Sequence, residues 1–220
     1  MVLRMSLRVS AVGLEDYLTT IFRLLEVYGY AKTTLISKEL GVKPATVSKV
    51  LKYLEMKGFI KRVRYRGVTL TSKGLEVVRS VIRKHRIAEF FLSEFLGFDP
   101  YYTHLYAHEF EHLPDDVLEK IYLKLGRPTT CPHGNLISID STSLTGVKLS
   151  NVSEGSKVEV IRVAGELTYV LKELQRLSIK LGTIISVVKQ KPLHTVIEVI
   201  DGGVYELPKE FAEAIICRVI

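Results

Sequence analysis

Three histidines and two glutamates stand within nine residues at His104-Leu105-Tyr106-Ala107-His108-Glu109-Phe110-Glu111-His112. Imidazole and carboxylate groups without a thiolate suit Mn, Fe(II), Co, Ni or Zn. At about 100° per residue on a helix, His104, His108, Glu111 and His112 fall within about 100° of one another and face one region. His85 and Glu89, spaced i, i+4, share a face of the helix before it. A lone histidine is more often a surface or core residue. Four histidines and three acids on two adjacent helices instead point to one or two divalent cations.

The segment His108-Glu109-Phe110-Glu111-His112 satisfies both the H-E-x-x-H and the H-x-x-E-H peptidase patterns. In the first, two histidines hold zinc and the glutamate activates water, so a third ligand and a substrate cleft are needed. A metzincin would carry Gly and His after the motif where Asp115 and Leu118 stand. The motif lies in a compact helical pair with little chain left to build a cleft. A zinc metallopeptidase is therefore the weaker alternative, and the chain is expected not to be an enzyme.

The elements that position these residues are legible from periodicity. Leu14 to Tyr28 has apolar residues at helical spacing, and Gly29 follows its end. Thr34 to Leu40 is a short helix ended by Gly41, and Pro44 opens a third helix that runs to Lys57. Phe59 to Thr71 alternates β-formers around Arg66-Gly67, as two strands joined by a turn do. A long helix from Ser72 to about Phe95 follows, then helices from Pro100 to Leu113 and from Pro114 to Gly126. Arg127 to Thr145, rich in Pro, Thr, Ser and Gly, reads as a linker.

Helix, helix, tight turn, helix and β-ribbon is the order of a winged helix-turn-helix, whose third helix enters the major groove. That helix and its approach present Lys43, Ala45, Thr46, Ser48, Lys49 and Lys52, and the ribbon presents Arg64 and Arg66. Cations neutralise phosphates, and small side chains near a helix N-terminus can touch base edges. Charge agrees: residues 1–96 carry 18 Lys+Arg against 8 Asp+Glu, whereas residues 97–143 carry 3 against 7. A basic module thus adjoins an acidic, histidine-rich one, which suggests nucleic acid on one side and cations on the other.

Beyond residue 146 the chain changes to β-branched runs at 158–163, 182–188, 195–199 and 215–219, with one amphipathic helix from Leu167 to Leu177. This describes a small β-barrel of SH3 size. The predicted fold class is α+β in three parts. Residues 1–73 are expected to form the winged helix-turn-helix, 74–143 a helical metal-binding domain with its linker, and 144–220 the barrel. No apolar run approaches the ~18 residues of a membrane span, and the first ten residues lack a signal-peptide core. Two cysteines, Cys131 and Cys217, form no framework and suit a reducing cytoplasm.

In combination these motifs resemble the metal-dependent repressors typified by the diphtheria toxin repressor and the manganese transport regulator. The resemblance rests on Leu14-Glu15-Asp16-Tyr17-Leu18, Pro44-Ala45-Thr46-Val47-Ser48, Leu70-Thr71-Ser72-Lys73-Gly74 and Lys84-His85-Arg86-Ile87-Ala88-Glu89. It extends to Glu111-His112 and to Cys131-Pro132-His133-Gly134-Asn135, and the barrel is similar to the ferrous-iron-transport type found in long members. It implies one metal position on Asp16, His108, Glu111 and His112 and another on His85, Glu89 and His104. Asp16 follows the manganese type, whereas His108 and Thr19 depart from the pattern. The implied cofactor is Fe(II) or Mn(II), with Zn or Co as alternatives because of the added imidazole.

The resemblance also implies a cytoplasmic, metal-activated repressor acting as a homodimer, one or two dimers to a palindromic operator on double-stranded DNA, with no membrane partner. Apolar Ile87, Phe90, Phe91 and Phe95 are expected at the dimer contact, or equally as internal core. Some members draw a ligand from the barrel. Glu166 lies nearest that place, but Leu167 and Val170 take the aligned positions, so none is assigned. Cys131 and His133 are read as a structural turn and Cys217 as core. A DNA-binding protein that ignores metal is the other alternative.

Overall fold

The structure, a computed structural model, describes residues 12–139, 145–200 and 202–220. The first ten residues and segment 140–144 of the expected linker lie outside the described residues.

Helix α1 (Leu14–Tyr28) buries Tyr17, Leu18, Ile21, Leu24 and Val27 along one stripe, and Gly29 at φ 71 ends it in the left-handed conformation that glycine adopts without strain. Helices α2 (Thr33–Leu40) and α3 (Pro44–Met56) follow, with Pro44 in the first turn of α3, where its missing N–H is not needed. Val47, Leu51 and Leu54 pin α3 to α1 and α2. Strands β1 (Ile60–Val63) and β2 (Gly67–Leu70) form the antiparallel wing, in register from Ile60↔Leu70 to Val63↔Gly67. Ala31 extends this ribbon: Val68 donates to its carbonyl at 3.0 Å.

Helix α4 (Ser72–Phe90) is capped by the Thr71 hydroxyl, which accepts the Gly74 N–H, and it runs on as a π-helical turn at Phe91–Phe95. Helix α5 (Pro100–Phe110) starts on the Asp99 carboxylate, which accepts the Tyr101 N–H, and α6 (Asp115–Lys124) lies beyond Pro114. Helix α5 stops short of the expected Leu113, so Glu111 caps it rather than continuing it.

The C-terminal part is a six-stranded antiparallel sheet in the order β3-β8-β4-β5-β6-β7. Its strands are β3 (Val147–Lys148), β4 (Lys157–Val163), β5 (Ile184–Gln190), β6 (His194–Val199), β7 (Gly203–Pro208) and β8 (Ile215–Val219). Helix α7 (Thr168–Arg176) buries Val170, Leu171 and Leu174, and the short α8 (Lys209–Ala212) precedes β8. The β-branched runs locate β4, β5, β6 and β8. Strand β7 escapes them because, of its six residues, Leu207 alone is buried. Cys217 is core, as expected.

This sheet is not a separate bead. Its core is continuous with that of α1 to α3. The Tyr28 and Tyr169 hydroxyls hydrogen-bond at 2.9 Å, Lys38 pairs with Glu210 at 2.7 Å, and the Thr168 N–H donates to Glu39 at 2.8 Å. Gly165, at φ 69, sits so close to α1 that a Cβ there would come within 2.6 Å of the Arg23 carbonyl oxygen. The expected linker is also structured over residues 127–139: Val163 donates to the His133 carbonyl and Asn135 Nδ2 to the Val163 carbonyl. Among the described residues no helix is long and apolar enough to cross a membrane.

Candidate metal centre

Helices α4 and α5 pack with their histidines inward, so three imidazoles form a triangle. Ring centroids are 4.9 Å apart for His85 and His104, 4.7 Å for His85 and His108, and 5.0 Å for His104 and His108. A nitrogen from each lies within 4.8 Å of one from each of the others, close enough for one cation to be shared. Carboxylates close the cluster. His85 Nδ1 hydrogen-bonds Glu111 Oε2 at 2.7 Å, while Glu89 Oε1 lies 3.1 Å from His85 Nε2 and 3.0 Å from His104 Nδ1. On the far side His104 Nε2 meets Thr168 Oγ1 at 3.3 Å, a contact from the sheet domain.

The electrostatics separate the imidazoles into two kinds. Burial drives the His104 proton affinity well down and His108 down as well, which leaves neutral, ligand-competent rings. His85 is equally buried, yet Glu89 and Glu111 on its two nitrogens outweigh that penalty and raise its pKa. Burial would raise Glu111, but hydrogen bonds from His108 and His85 hold its carboxyl far below the usual range.

A second cluster adjoins the first through Glu89. Glu89, Cys131, His133 and Glu166 are all buried and bring one donor atom each to within 4.8 Å of the others. His133 Nδ1 is 3.2 Å from Glu89 Oε2, and the Cys131 thiol donates to Glu166 Oε1 at 3.1 Å. The Oε2 atoms of Glu89 and Glu166 are buried without a hydrogen-bond partner, the His133 contact being misaligned for one. Unpaired buried carboxylate oxygens beside a thiol and an imidazole are what a divalent cation would satisfy, so the donor set fits a metal.

The second cluster adds to the sequence reading. Cys131 and His133 do make a turn, closed by the Gly134 N–H on the Cys131 carbonyl, but the turn presents both side chains to the centre. From the sheet domain, for which no ligand is assigned by sequence, Glu166 brings its carboxylate to the same cluster. Gly165 and Glu166 both take positive φ, 69 and 46, and that reversal aims the carboxylate inward. The Cys-x-His spacing was the available signal, and its acidic partner lies 35 residues further along the chain.

Of the seven metal residues expected, His85, Glu89, His104, His108 and Glu111 converge. Asp16 and His112 stand further out: with His108 they line a cavity of about 310 Å³ between α1 and α5, which Arg23, Glu39 and Thr168 also border. His112 is exposed, and Asp16, half-buried, accepts the Gly13 N–H at 2.7 Å. Glu109, the general base of the peptidase alternative, is exposed, whereas Glu111 is the carboxylate built into the histidine cluster.

Behind the centre Arg86 is 1% exposed and ties three parts of the chain together. It donates Nε to Glu166 at 3.0 Å, Nη1 to the Leu136 carbonyl at 2.8 Å and Nη2 to Glu26 of α1 at 3.4 Å.

Lys43 at the N-cap of α3 and Ala45, Thr46, Ser48, Lys49 and Lys52 on it are all exposed, as are Arg64 and Arg66 on the wing. The aromatic stretch after α4 divides. Ile87 is fully buried against Leu118 and Ile137, so it is internal core rather than a dimer contact. Phe95 is 71% exposed beside exposed Leu96, Phe98 and Tyr102.

Three family models match in tandem: "Iron dependent repressor, N-terminal DNA binding domain" over residues 12–68, "Iron dependent repressor, metal binding and dimerisation domain" over 71–138, and "FeoA domain" over 147–219. The HTH-type transcriptional regulator MntR of Listeria monocytogenes serotype 4b is 35% identical over 113 residues, which is 50% of this chain and 77% of that one. The crystal structure of IdeR from T. acidophilum superposes with a TM-score of 0.80 at 26% identity, covering 96% of this chain and 100% of that one. The structure of the manganese regulator SloR matches equally, with a TM-score of 0.80 at 26% identity over 96% and 100% of the two chains. The tandem order of DNA-binding, metal-binding and FeoA segments, on the fold and donor clusters above, shows that the chain belongs to the iron-dependent repressor family of metal-dependent, DNA-binding transcriptional regulators.

Proposed function

We propose that this regulator represses metal-homeostasis genes when Fe(II) or Mn(II) fills its centre, and that it reads a palindromic operator as a homodimer. The observation that carries the reading is the position of the centre. Its imidazoles and carboxylates come from α4 and α5, while Asp16 on α1 of the DNA-reading module borders the same cavity. A bound divalent ion supplies positive charge that binds oxygen and imidazole donors together. Asp16, His108 and His112 would hold such an ion together and so fix α1 against α5. A ligand shifts an equilibrium only through differential affinity, so the cation must prefer this closed arrangement.

Two metal positions serve this role. His85, His104 and His108 form one with Glu111, joined by Asp16 and His112. Glu89, Cys131, His133 and Glu166 form the other. The thiol of the second moves its preference towards Zn or Co relative to the first. Lys43, Ala45, Thr46, Ser48, Lys49 and Lys52 enter the major groove, with Arg64 and Arg66 on the flanking backbone. The exposed Phe95, Phe98 and Tyr102 form the dimer contact, completed by the half-buried Phe90 and Phe91. The three parts run over 1–73, 74–143 and 144–220, and the protein works in the cytoplasm without a membrane partner or a catalytic role.

The test is fluorescence anisotropy on the protein's own promoter DNA at fixed salt, since counterion release otherwise dominates. Chelator is compared with Mn, anaerobic Fe(II), Co and Zn. The expected outcome is at least a tenfold rise in affinity with one metal, a coupling of about 1.4 kcal/mol. Equal affinity in chelator and in every metal would leave a DNA-binding protein that is not a sensor. A footprint decides between one and two dimers per operator.

A further inference from the structure

Arg23 is the anomaly of the cavity beside the centre. It lies on α1, is 2% exposed and carries a buried Nε with no hydrogen-bond partner. Among the described residues its guanidinium makes no ion pair. Buried arginines stay charged and are normally paired, because an unpaired buried charge is strongly unfavourable. An acid on the same cavity wall, Glu39, gives one oxygen to the Thr168 N–H and keeps the other buried without a hydrogen-bond partner. Arg86, one helix away, shows the ordinary solution, with Glu166 and Glu26 both within reach of its guanidinium.

The position of Arg23 is fixed. Gly165 of the sheet domain packs against its carbonyl so tightly that no Cβ fits there, and the start of α7 at Thr168 borders the same cavity. Arg23 shares that cavity with Asp16, His108 and His112. His108 is one ring of the histidine triangle, so the Arg23 charge is walled in beside the donors. A fixed positive charge beside the donors opposes a divalent cation, and the energy scales with the charge of the ion.

We infer that Arg23 sets the metal concentration at which the centre fills: its fixed positive charge, walled into the cavity beside His108 and Asp16, weakens cation binding and raises the threshold for DNA binding. The inference rests on the proposal that the centre binds metal. It makes Arg23 a tuning residue, which touches neither operator nor metal and acts through the potential at the donors.

The experiment titrates Co(II) and Mn(II) into the full-length chain by calorimetry at fixed pH and salt. Wild type is compared with Arg23→Lys, which keeps the charge, and with Arg23→Met and Arg23→Gln, which remove it. Circular dichroism checks that each variant is folded. Both neutral variants are expected to bind metal at least about tenfold more tightly and to require correspondingly less Mn(II) for half-maximal DNA binding, a coupling within the range of linked sites. Arg23→Lys stays near wild type, and DNA affinity at saturating metal is unchanged throughout. Folded neutral variants with wild-type or weaker metal affinity would overturn the inference and leave the metal centre standing. Failure of both to fold would assign Arg23 to structural support and overturn it too. A wild-type chain that takes up no metal would instead remove the reading of the centre on which the inference rests.

Discussion

The carboxylate of Asp16 accepts the backbone N–H of Gly13 at 2.7 Å, so it is occupied at the N-terminus of its own helix. Bridging to the centre therefore requires this carboxylate to exchange a backbone donor for a cation. Asp16→Ala removes both roles. Loss of the cap destabilises the fold by about 1 kcal/mol. Metal is then expected to change DNA affinity by less than about threefold, against at least tenfold for wild type, a loss of most of the coupling. Anisotropy with and without Mn(II) checks this, and an undiminished metal response in the variant would sink the bridge.

The second cluster makes a spectroscopic prediction. Co(II) bound by the Cys131 thiolate gives a sulfur-to-metal charge-transfer band in the near ultraviolet. Cys131→Ser should abolish that band, while His104→Ala, in the other cluster, keeps it. Burial and Glu166 push the Cys131 thiol well above its ordinary pKa, so binding must expel a proton. A band that survives Cys131→Ser would remove this residue from the ligand set.

Metal affinity should rise with pH. Folded His85 and His133 have raised pKa values: burial opposes the proton on each, but Glu89, joined at His85 by Glu111, outweighs it. Their protons are held to higher pH than usual, and a cation must displace them. Affinity is therefore lowest in acid, climbs most steeply as pH rises through the folded histidine pKa values, and keeps rising above them while the Cys131 proton must still be expelled. Each displaced proton contributes about a tenfold change per pH unit in the rising range. Calorimetry in two buffers of different ionisation enthalpy counts the protons, and a flat profile from pH 6 to 8 would contradict the assignment.

Phe95 is the sharpest test of the dimer face. Phe95→Glu places charge on an exposed aromatic patch, where it breaks an interface but leaves the monomer folded. Sedimentation is expected to show monomers, with operator affinity at saturating metal down by more than about a hundredfold, since only one half-site can then be read. A dimer that persists would move the interface elsewhere.

The helical half of the molecule was legible because its signals are local. Apolar spacing, Gly29, Gly41 and Pro44 place α1 to α3 within a residue or so of their observed bounds. The histidine triangle was legible for the same reason, since i, i+4 spacing on two consecutive helices is a one-dimensional pattern. What remained hidden depends on contacts distant in sequence. Cys131 and Glu166 meet across 35 residues, through a turn whose two positive-φ residues carry no alternating pattern. Ile87 has the same type and phase as a surface contact, and only the packing of Leu118 and Ile137 shows which side it faces. The π-helical turn at Phe91–Phe95 has no signature that separates it from the α-helix it extends.

Arg86 carries a last consequence, for how the molecule comes apart. Its guanidinium is held jointly by Glu26 of α1, Glu166 beyond β4 and the Leu136 carbonyl. Peeling away either end leaves a buried cation short of a counter-charge, a penalty of about 3–5 kcal/mol. Partial unfolding is therefore suppressed, and the metal-free protein should melt in one calorimetric transition rather than three, with Arg86→Met uncoupling the sheet from the helices. Local opening would then be confined to α3 and the wing, the parts that must adapt to DNA.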